Sequence, residues 1–177
     1  KTNDFEITFS QDLDDLKKES IKHFDIVASY TTGMTLGKEQ EDGLCGFVKN
    51  GGGFVGIHSA SDSFKNSDRY WEMVGGRFAG HGYGKYTVYV YDSNHPITKG
   101  LKDFEVEDES YQNNYHRNAQ MRSLLRIDWG DQRQSMAWVS HYGKGRVFYT
   151  GNGHNRKTWS NPDFQRLVTR GMYWAAG

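Results

Sequence analysis

Three histidines stand out by their surroundings. His58 closes the run "GGGFVGIHSAS", His81 lies in "RFAGHGYG" and His154 in "GNGHNRKTW". Each follows an apolar stretch, and each reads as part of a glycine-rich turn. Imidazole titrates near neutrality, binds metals and serves as a general base, so three in similar settings point to one shared site. For any one of them alone, a capping or hydrogen-bonded histidine is the plainer reading. The acids Glu107, Asp108 and Glu109 precede Tyr111. A carboxylate beside imidazoles can hold a metal or remove a proton; a solvated acidic face is the ordinary alternative. Tyr111 and Trp159 are candidates to stack on a sugar ring, with simple packing as the competing role. His23, His95, His116 and His141 are weaker candidates, placed at a helix end, a turn, a long loop and a hairpin strand. His116 could reach a ligand from that loop.

Other chemistries are set aside on residue type. Neither "GNGH" nor "GGRFAG" is followed by the Lys-Ser/Thr of a phosphate loop, and neither carries the dinucleotide fingerprint. A serine or cysteine hydrolase needs its nucleophile at the strand-to-helix elbow. His58 stands there, with Ser59 and Ser61 beside it. The single cysteine, Cys45, excludes an internal disulfide and a cysteine-rich zinc site. It falls inside a predicted helix and reads as a small buried residue.

These side chains need elements to hold them. "FEITF" (5–9) alternates and predicts a strand. "SQDLDDLKKES" predicts a short helix capped by Ser10. "FDIVASY" (24–30) predicts a second strand. Residues 38–50 predict a helix with Leu44, Phe47 and Val48 on one face, stopped by Gly51–Gly53. "FVGIH" is then a third strand ending at His58. This alternation implies a parallel sheet covered by helices, in which ligands sit at the carboxyl ends of strands. "SDRYWEMVGG" predicts a helix closed by Gly75 and Gly76, and "KYTVYVYD" (85–92) a strand. "HPITKGL" reads as a turn. Residues 104–120 read as a strand plus a long functional loop. "SLLRIDW", "SMAWVSHY" and "RVFYT" predict strands, the last two a hairpin through "GKG". The final helix starts at Pro162 behind Ser160 or Asn161, packing through Phe164, Leu167, Val168, Gly171 and Met172.

The 177 residues suit one domain. Lys+Arg and Asp+Glu both number 22, so no basic excess exists to neutralise nucleic-acid phosphates. No apolar run approaches the roughly 20 residues of a membrane span. A cytoplasmic and a secreted location fit equally well.

Six segments in order, "GGGFVGIHSASD", "YWEMVGGRFAGH", "HPITKGL", "DESYQ", "AWVSHYGKGRVFYTGNGH" and "NPDFQRLVTRGMYWAAG", together resemble the ThuA, or trehalose-utilisation, family from about Phe24 to the C-terminus. The resemblance implies an α/β three-layer sandwich with a mostly parallel sheet, class I glutamine amidotransferase-like and flavodoxin-like, extended by an antiparallel hairpin. It implies a single domain over 1–177 that lacks the family's first strand-helix unit. In amidotransferases of that fold the elbow carries a cysteine and a later strand ends in a histidine. Here His58 and His154 fall at those places, so glutaminase chemistry is not expected.

The expected function is that of a sugar-acting enzyme of disaccharide catabolism that isomerises, eliminates or hydrolyses a 3-keto-glycoside. His58, Glu109 and His154 are the expected catalytic groups. Ser59, His81, Tyr111 and Trp159 are expected to bind substrate. A divalent metal, zinc or similar, would sit on His58, His81 and His154. The partner is a small sugar, with a homo-oligomer compatible. The alternative is a non-catalytic carbohydrate-binding or interaction domain using Tyr111, Tyr115 and Trp159.

Overall fold

The structure, a computed structural model, describes residues 5–177. Its strands are β1 (Ile26–Ser29), β2 (Gly53–Ile57), β3 (Gly76–Val90), β4 (Phe104–Tyr115), β5 (Arg122–Trp129), β6 (Gln132–Tyr142) and β7 (Gly145–Thr150). Its helices are α1 (Lys18–Ile21), α2 (Lys38–Lys49), α3 (Asp68–Val74), α4 (Arg156–Trp159) and α5 (Pro162–Ala176). The strands form one mixed sheet in the order β1-β2-β7-β6-β5-β3-β4. Among the described residues only β1–β2 and β2–β7 run parallel; the other pairings are antiparallel. The sheet is therefore parallel at one end, rather than mostly parallel as expected.

The parallel end explains its own sequence. β2 is flanked on both sides, and all five of its residues are buried, which is why it reads as an unbroken apolar run. Alternate residues feed two apolar clusters. Val55 and Ile57 join Phe148, Phe164 and Leu167, while Phe54 joins Tyr149, Leu44, Val48, Tyr70 and Met73. Cys45 packs in the second cluster, and burial pushes its thiol up to about 12. At α5 the Asn161 side chain accepts from the Asp163 and Phe164 amides, with Pro162 in the first turn, as its sequence predicts.

Four local expectations are corrected. Phe5–Phe9 forms no strand: it lies outside the sheet, with Ile7 and Phe9 largely exposed. Alternation makes a strand only where a neighbour supplies hydrogen bonds, and no strand among the described residues pairs with it. The following helix is split into a 3₁₀ turn, Leu13–Leu16, capped by Asp12 rather than Ser10, and the short α1. "RFAGHGYG" is no turn but the first half of β3, so His81 is a strand residue. Its glycines lie in extended backbone, and at Gly82 a Cβ would come within 2.9 Å of Ser110 Oγ on β4. The expected loop after residue 104 is strand as far as Tyr115. It pairs with β3 along twelve positions, which satisfies its backbone groups.

Candidate active site

His58 leaves β2 with a positive φ of 49° and opens a 3₁₀ turn, His58–Asp62. A left-handed conformation is rare outside glycine and marks a position worth explaining. Two buried tyrosines hold it. Tyr149 donates from its hydroxyl to the His58 carbonyl at 2.7 Å and accepts from Ser61 at 2.8 Å. Tyr70 donates to the Ala60 carbonyl at 2.9 Å. The side chain itself is 3% exposed. Its Nδ1 lies 2.8 Å from the Gly151 carbonyl. A carbonyl only accepts, so Nδ1 carries the hydrogen and Nε2 presents a lone pair. Burial pushes the imidazole below its ordinary range, opposed by the Gly151 carbonyl and the Asp108 and Glu109 carboxylates.

That Nε2 faces a carboxylate, with Glu109 Oε2 3.3 Å away. The other oxygen of Glu109, Oε1, lies 3.5 Å from His154 Nδ1 and 3.8 Å from His81 Nδ1. The four side chains come from different elements. His58 follows β2, His81 belongs to β3, Glu109 to β4, and His154 to the loop after β7. Register explains the β3–β4 part. His81 pairs with Tyr111 and Tyr83 with Glu109, and directly opposed residues share a face. A bulge between Phe78 and Gly80 shifts the parity, so Phe78, which pairs with Asn113, joins His81 on that same face. The Phe78 ring lies 4.5 Å from Tyr111.

His58, Glu109 and His154 each offer one ligand atom, all within 4.8 Å of one another. The His58 and His154 rings are 5.3 Å apart. His81 falls outside that set: its Nδ1 stands 3.8 Å from Glu109 Oε1, the oxygen that also faces His154, and its ring lies beside Phe78 and Tyr111. A lone pair against a carboxylate repels unless a proton or cation stands between them, so the arrangement is built to hold positive charge. Ser59 is half-buried on the 3₁₀ turn. Tyr111 is 5% exposed, its ring packed 4.1 Å from His58. Trp159 donates from Nε1 to the Gly153 carbonyl at 2.7 Å and lies edge-on to Tyr30. Tyr115 is part-exposed and lies edge-on to Trp138. His116 packs against Trp71 and stands 3.6 Å from Asp68.

Sequence reasoning passed over Tyr30, Phe78 and the separate part played by Asp108. Tyr30 closes the rim, its hydroxyl donating to the Gly153 carbonyl at 3.0 Å. Its only signal was its place at the end of a strand. Phe78 depends on a bulge that nothing in the residue pattern announces.

The sequence matches the family described as trehalose utilisation, ThuA, over residues 1–175. The chain belongs to the ThuA family. The family match thus reaches further toward the N-terminus than the six segments do. A ThuA-like protein from Bacteroides uniformis is 22% identical, with 94% of this chain aligned to 75% of that one at a TM-score of 0.80. A ThuA-like protein from Parabacteroides merdae is 23% identical over 87% of this chain and 71% of its own, at 0.73. A β-galactosidase from Rahnella shares the fold at 15% identity and 0.62, the matched region spanning 23% of that chain. No curated protein matches. Family membership points to a role in sugar metabolism, and no helix among the described residues is long and apolar enough to cross a membrane.

Proposed function

We propose that this ThuA domain is an enzyme that removes a proton next to the carbonyl of a 3-keto-glycoside in disaccharide catabolism, on an amidotransferase-like three-layer scaffold that has lost glutaminase chemistry. The observation that carries the reading is the Glu109 carboxylate set between the buried Nε2 of His58 and Nδ1 of His154. A carbonyl acidifies the neighbouring C–H, and a positioned imidazole or carboxylate takes that proton. His58 suits the role of base. Burial favours the neutral form of the imidazole, and the Gly151 carbonyl holds Nδ1–H so that Nε2 is the basic nitrogen. Glu109 then stabilises the imidazolium that forms. His154, half-exposed at the rim, returns a proton to the sugar or its leaving oxygen.

The same three residues fit a divalent metal. Two imidazoles and a carboxylate suit zinc, and His58 already donates its other ring N–H to a backbone carbonyl, as metal-bound histidines do. With such an ion bound, His58 Nε2 would be a ligand rather than the base, and the ion would polarise the sugar carbonyl. The binding-only alternative has less support, because Tyr111 is buried and Tyr115 lies against Trp138. The test is turnover of 3-keto-disaccharides against their unoxidised parents, with and without zinc or manganese. Turnover of the keto substrates alone, lowered about 10²- to 10⁴-fold by His58→Ala and by His154→Ala, is expected. Unchanged turnover in both variants overturns the proposal.

A further inference from the structure

We propose that Asp108 is the positioning residue of this site, a carboxylate that hangs the His154 loop on β4 and so sets His154 against Glu109. The proposal rests on reading His58, Glu109 and His154 as one site. Asp108 is 0% exposed, and among the described residues it has no ion-pair partner. A buried, unpaired carboxylate is costly unless hydrogen bonds replace its hydration. Here backbone amides do so. Oδ2 accepts from the Gly153 N–H at 2.8 Å. Oδ1 accepts from the Asn155 N–H at 2.9 Å and from the Glu109 N–H at 3.0 Å.

The two loop amides held in this way flank His154. Its side chain is 51% exposed, so packing alone does little to aim it. Anchoring the residues on both sides fixes its backbone instead. The third bond ties the same carboxylate to Glu109, the group His154 must meet. One side chain thus sets both partners in register. The opposite side of the loop is fixed through the Gly153 carbonyl, which accepts from Tyr30 and Trp159. Gly153 has a φ of +126°, and a Cβ there would lie 3.2 Å from Ile57 and 3.6 Å from His58, so the loop runs close beneath the elbow. Residue type matters. Both oxygens of a carboxylate accept, whereas an asparagine would turn an N–H toward one of the loop amides.

The experiment compares wild type, Asp108→Asn, His154→Ala and the double variant. The first readout is the nuclear Overhauser contact between the His58 and His154 rings, which needs no metal. The second is cobalt(II) affinity, followed by the visible spectrum of the bound ion. Asp108→Asn is expected to lose the His58–His154 contact while keeping that between His58 and Tyr111, and to weaken cobalt binding about 10- to 100-fold. In the His154→Ala background it should weaken cobalt no further. A retained ring contact, or an equal cobalt loss in both backgrounds, overturns the proposal. If Asp108→Asn does not fold, Asp108→Ser, whose hydroxyl still accepts from one amide, is read in the same way. A wild type that binds no cobalt counts against the metal reading above and leaves Asp108 to be decided by the ring contact.

Discussion

At the scale of single residues, the site depends on a strained histidine held from behind. His58 occupies left-handed backbone, and the Tyr149 hydroxyl satisfies its carbonyl inside the core. Tyr149→Phe removes that donor and leaves both the His58 carbonyl and Ser61 short of a buried partner. The expected cost is about 1–3 kcal/mol, read from urea unfolding; a loss near zero would mean that the elbow holds itself. The reactive residues were legible in the sequence where they stand at strand ends. An apolar run into His58, and another into "GNGH", mark the carboxyl ends of β2 and β7. Glu109 was legible only as one of three acids. The chain could not say which acid turns toward the imidazoles and which turns to the loop amides, because that depends on strand phase and on the path of a loop 45 residues later.

At the scale of elements, pattern worked where an element is self-sufficient and failed where a partner decides. α2 carries its own apolar face and α5 its own face and Asn161 cap, and they form where expected. "FEITF" alternates like a strand yet pairs with no strand among the described residues, and "RFAGHGYG" looks like a turn yet gains β4 along its length. Gly75 ends α3 with a φ of +90°, and a Cβ there would lie 2.5 Å from Met121 Sδ. Gly75→Ala should destabilise by more than about 1 kcal/mol, measured as a lower denaturant midpoint.

The turn after β3 supplies a pH test. His95 is buried against Trp174, and its Nδ1 accepts from the Ile97 N–H at 3.3 Å. Burial first, then the Arg122 charge, lowers its pKa below 6.5, with Asp92 opposing. The unfolded chain therefore takes up the proton first as pH falls. The contribution to stability is present above 6.5 and is lost as pH drops from there through the folded value. His95→Asn keeps an acceptor for the Ile97 amide but does not titrate. Thermal melts of this variant between pH 7.5 and 5 should lose less stability toward acid than wild type. An equal loss would place the acid sensitivity elsewhere.

At the scale of the whole molecule, the mixed sheet brings a strand end, a β-ribbon and a distant loop to one carboxylate. No short stretch contains the site. Its parts are 58, 81, 109 and 154 in sequence, joined only when β7 lies beside β2 and β4 reaches the loop through Asp108. The central claim is that this assembly removes a proton beside a sugar carbonyl. Deuterium wash-in from heavy water into a 3-keto-disaccharide, followed by NMR at the carbon next to the carbonyl, tests it most directly. Wild type is predicted to exchange that hydrogen well above the buffer rate, with Glu109→Gln reducing the rate about 10²-fold or more. Exchange at the buffer rate in wild type, or an equal rate in Glu109→Gln, would contradict the account.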